Sequence, residues 1–272
     1  MSWIERMAME PPFRLVARAL LPYLRPSIET RSTWELSARP HYLLGIFEAA
    51  KQAKKQGVPE ISVIEFGVAG GNGLVAMQEE AASVEQATGI RIQVFGFDSG
   101  GSGLPQLIGD YRDHPDAWQA GDFAMDEPQL RRRLMPRTTL ILGNVRDTVP
   151  SFFLTAQRPP IGFVSFDLDL YSSTSDALKI FTVPGSRMLW NTPLYFDDIN
   201  FVFNHRWAGE FLAISEFNDA NDDIKIDRWY GVRNGRPFPE RGIFDKMFIA
   251  HNLKEISGAR LERKQVDLRL SP

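Results

Sequence analysis

Six carboxylates and one run of glycines carry the chemistry this chain could do. Glu65 lies in the apolar run ISVIEFGV (61–68), and Asp98 closes RIQVFGFD (91–98). Asp167 and Asp169 lie near the end of GFVSFDLDL (162–170), and Asp197 and Asp198 near the end of TPLYFDDI (192–199). Several carboxylates brought to one place suit a hard divalent cation such as magnesium, which takes oxygen ligands and leaves positions for water and substrate. Without a cation the same charges repel and raise one another's pKa values. Glu65 is followed by Gly67-Val-Ala-Gly70-Gly71-Asn72-Gly73. Glycines allow a sharp turn and a close backbone approach to a ligand, and a helix beginning there presents free N–H groups. Asp98, at the end of the next run, is placed to accept hydrogen bonds from both hydroxyls of a ribose. Together these features point to an adenosine-type cofactor. The plainer alternative is a glycine turn beside a surface aspartate, with Asp169 or Ser172 capping a helix over 173–181. Asp197 and Asp198 have no obvious helix directly after them, so capping explains them less well.

The elements that must position these residues alternate. Strand-like runs at 61–68, 91–98, 138–145 (TTLILGNV), 162–170 and 192–199 are separated by helix-like stretches at 72–87, 126–134 and 173–181. Strands apolar on both faces, alternating with helices, form a parallel sheet covered on both sides. Right-handed crossovers then lead to a doubly wound sheet, whose ligands bind beyond the carboxyl ends of the strands. KIDRWYGV (225–232) and DKMFIAHNL (245–253) have no helix between them and read as a terminal antiparallel pair. The expected fold is α/β, a doubly wound and mostly parallel seven-stranded sheet over 59–272, preceded by a helical extension over 1–58. In that extension, 41–56 is a helix with Leu43, Leu44, Phe47 and Ala50 at helical spacing, closed by Gly57. Residues 13–24 form a shorter amphipathic helix that Pro22 kinks or ends. Trp3, Ile4, Phe13, Leu15, Val16, Leu20, Leu21 and Leu24 are more apolar surface than a free tail should show. The segment is therefore expected to cover the cleft or to pair two copies of the chain in a homodimer, with Arg39, His41 and Tyr42 near the site. The long loop at 99–125 is expected to act as a lid.

Composition excludes several classes. Among 272 residues, 31 Lys and Arg face 34 Asp and Glu, a net charge of −3 that argues against a dedicated nucleic-acid binder. The absence of cysteine removes disulfides, Cys-ligated zinc, iron–sulfur clusters and thiol nucleophiles. No run of about 18 apolar residues exists to span a membrane, and Glu5, Arg6 and Glu10 break any signal-peptide core. The expected compartment is the cytoplasm. The four histidines show no paired ligand spacing, although His205 follows Asp198 closely enough to reach the site.

A dinucleotide fingerprint needs its glycines directly after the strand. Gly71-Asn-Gly73-Leu-Val-Ala76 has the letters but starts several residues late. A glutamate two residues before Gly67 instead resembles the E-x-G-x-x-x-G motif of S-adenosylmethionine-dependent methyltransferases. The ordered motifs VIEFGVAGGNG, VFGFDSGGSGLP, FDLDLYSSTSDAL and YFDD, over about residues 60–255, resemble the macrocin O-methyltransferase family. That family consists of magnesium-dependent enzymes that methylate sugar hydroxyls of antibiotics. The resemblance implies a Rossmann-like class I methyltransferase fold, S-adenosyl-L-methionine, Mg2+ or another hard divalent cation, and a small hydroxylated acceptor. It implies no nucleic-acid or membrane partner. It also implies that Asp167, Asp197 and Asp198 hold the metal, that Asp169 is the base, and that Glu65, Gly67 and Asp98 hold the cofactor. Gly71, Asn72, Ser99, Asn144 and Val145 complete the expected cofactor set. The sequence departs from the family pattern at VPGSRMLWNTP (183–193) and GEFLAISEFN (209–218). Two other readings stand beside it. One is a methyltransferase-like protein that binds cofactor without turnover. The other is a D-x-D metal-dependent phosphatase, which FVSFDLDLYSS also resembles, although Leu170 and Tyr171 stand where that family prefers small residues.

Overall fold

The computed structural model describes residues 7, 9–154, 157–201 and 203–260. Trp3, Ile4, Glu5 and Arg6 lie outside the described residues. In chain order the elements are α1 (Phe13–Leu20), α2 (Ile28–Thr33), α3 (Pro40–Gln56), β1 (Glu60–Phe66), α4 (Asn72–Thr88), β2 (Arg91–Asp98), α5 (Glu127–Arg131), β3 (Thr138–Leu142), α6 (Val145–Ser151), β4 (Ile161–Phe166), α7 (Tyr171–Leu178), β5 (Asn191–Phe196), α8 (Gly209–Ala220), β6 (Ile224–Arg228), β7 (Met247–Asn252) and α9 (Leu253–Gly258). No helix among the described residues is long and apolar enough to cross a membrane.

The seven strands form one sheet in the order β3-β2-β1-β4-β5-β7-β6. β1 to β5 are mutually parallel, and β7 runs antiparallel to both β5 and β6. Helices α2, α3 and α4 pack on one face; α6, α7 and α8 pack together on the other. Alternate side chains of each inner strand therefore enter different cores. Val63, Phe163 and Tyr195 join Tyr42 and Leu74 on the first face. Ile64, Phe66, Val164, Phe166 and Phe196 join Phe152 and Ile214 on the second. Burial on both faces is why these strands read as continuous apolar runs.

Several expected strands run too long: β1 stops at Phe66, β3 at Leu142, β4 at Phe166 and β5 at Phe196. Phe97, Phe66, Phe166 and Phe196 are register partners across four adjacent strands. Beyond them the ladder ends and the chain turns, through Gly67 at φ +83° and Asp169 at φ +61°. α8, over GEFLAISEFN, is a helix that the sequence reading left unassigned. Gly57 closes α3 at φ +70°, as expected. α1 ends before Leu21–Leu24, which form a single 3₁₀ turn around Pro22.

Candidate active site

The four phenylalanines of that register row are each followed by a residue of the site: Asp98, Gly67, Asp167 and Asp197. The strand order reverses between β1 and β4, and a crevice opens there beyond the carboxyl ends. Gly67 N–H donates to Phe97 O at 2.9 Å, Asp167 N–H to Phe66 O at 2.9 Å, and Asp197 N–H to Phe166 O at 2.9 Å. The tips are thus stitched into a second row. Only glycine fits the second place, because a Cβ on Gly67 would overlap the carbonyl oxygen of Asp167.

A cavity of about 420 Å³ lies over this row. It is lined by every expected site residue: Glu65, Gly67, Gly71, Asn72, Asp98, Ser99, Asn144, Val145, Asp167, Asp169, Asp197 and Asp198. Arg39, expected near the site, also lines it, as do Leu104, Pro105, Trp118 and Phe123 of the 99–125 loop, which were not named individually. His205 is not in the lining; its ring sits 5.0 Å from that of His114. No residue of α1 lines the cavity either.

Asp98 organises the glycine loop. Its Oδ2 accepts from Val68 N–H and Ala69 N–H, both at 2.8 Å, and its Oδ1 accepts from Gly100 N–H at 2.6 Å. A carboxylate has about four lone-pair directions, so little capacity remains for two ribose hydroxyls at once. Asn144 likewise uses its Oδ1 to cap α6, accepting from Arg146 N–H.

Glu65 is 1 % exposed. Its Oε1 accepts from Tyr42 Oη at 2.7 Å, while its Oε2 has no partner among the described residues. Burial raises its pKa to about 8, against the pull of the Tyr42 hydrogen bond. A Cβ at Gly73 would overlap Glu65 Oε1, so the first turn of α4 comes close to this carboxyl only because it has no side chain there. A buried acid with one unpartnered oxygen, in the lining of a glycine-rich cavity, fits a cationic ligand group.

Asp167, Asp197 and Asp198 each place a carboxylate oxygen within 4.8 Å of the others. Burial, then repulsion from Asp198 and Asp197, raises Asp167 to about 7. Asp169 and Asp198 are both pushed up, first by burial and then by neighbouring carboxylates. Asp169 N–H donates to Asp198 Oδ2 at 3.1 Å. Asp197 differs: burial opposes its ionisation, but the Tyr195 hydroxyl at 2.5 Å and the Lys246 ammonium at 3.1 Å outweigh it and hold the carboxyl low. Lys246 was missed because it stands just before β7, far along the chain; only the β5–β7 pairing brings it here. Behind the cluster, fully buried Glu210 of α8 accepts from Asp198 N–H at 2.9 Å. An all-oxygen set of three carboxylates with one lysine as counter-charge fits a hard divalent cation held by Asp167, Asp197 and Asp198.

The capping alternative does not hold. α7 begins at Tyr171 with Leu170 at its cap and no side-chain cap bond. Ser172 turns instead to Asp113, donating from its N–H at 2.8 Å and its hydroxyl at 2.9 Å. Asp197 makes no cap bond to the short turn after it.

No protein-family model and no curated protein sequence matches the chain. Solved structures do. The calicheamicin methyltransferase CalS11 is similar at a TM-score of 0.54 and 21% identity, over 89% of this chain and 93% of that one. The O-methyltransferase NovP is similar at a TM-score of 0.53 and 19% identity, over 91% of this chain and 99% of that one. The sheet order, the terminal antiparallel strand and these likenesses together give the chain the Rossmann-like methyltransferase fold.

Proposed function

We propose that this protein is an S-adenosylmethionine-dependent, divalent-metal-dependent O-methyltransferase acting on a hydroxyl of a sugar or similar small natural product. The observation that carries the reading is the row Asp98–Gly67–Asp167–Asp197. It sets a glycine loop suited to a nucleoside directly beside an acid cluster suited to a cation, within one cavity. The similarity to a calicheamicin methyltransferase and to the O-methyltransferase NovP supports the same class.

In this reading the glycine loop and Asp98 orient the donor, and Glu65 faces its cationic end. Asp167, Asp197 and Asp198 would hold the cation. When bound, donor and cation supply an electrophilic methyl group and acidify the acceptor hydroxyl. Asp169, 7 % exposed, takes the hydroxyl proton at its carboxylate. Trp118 and Phe123 offer flat apolar surface to the body of the acceptor. Orientation of this kind contributes several kcal/mol, up to about 7–11 in favourable cases.

A second copy of the chain completes the proposal. In α1 the two arginines turn inward: Arg14 pairs with Glu240 at 2.8 Å, Arg18 donates to Glu35 O at 3.4 Å, and both lie over the Phe238 ring. Phe13, Val16, Leu20 and Tyr23, spaced three, four and three residues apart, face solvent and are 53–84 % exposed. Phe13, Val16 and Leu20 have the spacing of a helix-pair seam along α1, and Tyr23 continues the row in the turn that follows. With its cations already used inward, the face suits a second apolar helix better than an anionic lipid surface.

The test is calorimetric titration with S-adenosylhomocysteine and with NAD, each with and without Mg2+, followed by a methyl-transfer screen of hydroxylated acceptors. Micromolar S-adenosylhomocysteine binding and methyl transfer that a chelator abolishes are expected. Binding of NAD alone, phosphatase activity without methyl transfer, or chelator-resistant transfer would overturn the reading in turn for the cofactor, the reaction and the metal.

A further inference from the structure

The cavity is unevenly charged. Seven carboxyls line it, and Arg39 is the single cation in its lining among the described residues. A divalent cation, a sulfonium, Arg39 and Lys246 together offset most of that charge but not all of it. Asp122, in the 99–125 loop, lines the cavity and pairs with no lysine or arginine among the described residues. Its carboxylate accepts only from Gln119, whose N–H reaches Oδ2 at 3.2 Å and whose Nε2 reaches Oδ1 at 3.2 Å. Asp169, pushed up first by burial and then by Asp167 and Asp197, also feels the charge of Asp122.

Two aromatic rings accompany this carboxylate. Trp118 and Phe123 line the same cavity, their ring centroids 6.0 Å apart and their planes at 63°. Phe123 is held at φ +61°, the left-handed region that a large side chain rarely adopts, and it stays 53 % exposed. Packing within the chain does not account for that strain, and strain of this kind collects at ligand contacts. The loop is also fixed before any ligand arrives. Leu104 N–H donates to Asp122 O at 2.7 Å, and Gly121 N–H donates to Leu104 O at 2.9 Å. Gly103 allows the two limbs to close, since a Cβ there would overlap the carbonyl oxygens of Asp122 and Gly121. Trp118 N–H donates to His114 O at 3.0 Å, and the indole meets Phe201 at 5.6 Å. His114 Nε2 lies 3.3 Å from Asn204 Oδ1, and Asn204 Nδ2 donates to Asp198 O at 2.9 Å. The loop is thereby tied to the acid cluster.

A carboxylate beside aromatic faces suits one kind of group. The face of an indole or phenyl ring attracts a cation, most strongly an alkylammonium that has shed its water. The carboxylate attracts the same group, and both repel a phosphate. We propose that Trp118, Asp122 and Phe123 form a recognition site for a protonated amine of the acceptor, which makes the substrate an amino-bearing sugar or polyol rather than a nucleoside-diphosphate sugar. The proposal rests on the methyltransferase reading and adds the charge of the acceptor to it.

The test uses methyl glycosides in matched pairs, alike except that one hydroxyl is replaced by a dimethylamino group, with one pair for each ring position. Each is titrated calorimetrically onto the protein with S-adenosylhomocysteine and Mg2+. At one position at least, the amino member should bind about tenfold or more tightly than its hydroxy partner, and added salt should erode the preference. Asp122→Asn should weaken that amino glycoside by about ten- to a hundred-fold, the range of a hydrogen-bonded charge. Trp118→Leu should weaken it by about three- to thirty-fold, the range of a cation–π contact. Both variants should leave the hydroxy partner within about twofold. No amine preference at any position, or tighter binding of UDP-glucose than of methyl glucoside, would overturn the proposal. Equal weakening of both members of the pair by the two variants would make the loop a plain support and overturn it too. S-adenosylhomocysteine affinity separates the two levels. A protein that binds it but shows no amine preference loses only the acceptor assignment, whereas one that does not bind it refutes the methyltransferase reading and this inference with it.

Discussion

Asp167→Asn should make the metal-free protein more stable while destroying its activity. Burial and the carboxylates of Asp198 and Asp197 hold the Asp167 carboxyl at about 7, against 3.8 in an open chain. A folded-state pKa raised in this way means that the native protein binds more protons than the unfolded chain between those values. Stability therefore falls as pH rises from about 3.8 to 7, and stays low above. The full difference is on the order of 4 kcal/mol, and solvent contact at the cavity mouth reduces it to roughly 2. Asparagine keeps the shape and carries no charge, so its advantage over the parent should grow by about 1 kcal/mol between pH 5 and pH 8, the part of that window above pH 5. In melting temperature that is roughly 2–4 °C for a domain of this size. The assay is thermal unfolding in chelator across that pH range, repeated with magnesium. Magnesium should stabilise the parent most at high pH, where the cluster is ionised, and should stabilise the variant much less. A variant advantage that does not change with pH, together with equal magnesium shifts for both proteins, would refute the argument that Asp167 sits in a cluster of mutually repelling carboxylates.

Three further outcomes are expected. Gly73→Ala drives a methyl group into buried Glu65 Oε1, so it should cost about 1–3 kcal/mol of stability and abolish S-adenosylhomocysteine binding; a melt and a titration check both. Asp169→Asn should keep cofactor and cation affinity yet lose about 10²–10⁴-fold in turnover, as general-base removal does; unchanged turnover in a single-turnover methyl-transfer assay would remove Asp169 from the chemistry. Val16→Glu puts a charge in the middle of the exposed α1 row and should convert a dimer to a monomer in sedimentation equilibrium with no change in melting temperature at high dilution; a wild-type protein that is monomeric at micromolar concentration refutes the pairing.

The strand-tip chemistry was legible because it repeats in the sequence. Phe-Asp, Phe-Gly, Phe-Asp and Phe-Asp close four apolar runs, and a parallel sheet buried on both faces converts that repeat directly into a row of carboxylates around one glycine. Alternation of strands and helices gave the doubly wound core for the same reason: burial on both faces leaves an unbroken apolar run, and a crossover needs an amphipathic helix. Strand ends were less legible, since apolarity continues into Leu168, Leu170 and Ile199, which stay buried after the ladder has stopped. What only the tertiary structure decided are the partners that come from distant parts of the chain. Lys246 reaches Asp197 because β7 inserts antiparallel beside β5, and Glu210 reaches Asp198 because α8 packs behind the cluster. Tyr42, expected near the site, bonds to Glu65 itself because α3 lies across the face of β1 and β4. The outward apolar face of α1 also depends on contacts with Glu240 and Phe238, more than 200 residues away. Local pattern fixes which side chains a strand or helix presents, but a charge is balanced or left unbalanced by whatever the fold brings beside it. No spacing along the chain encodes that.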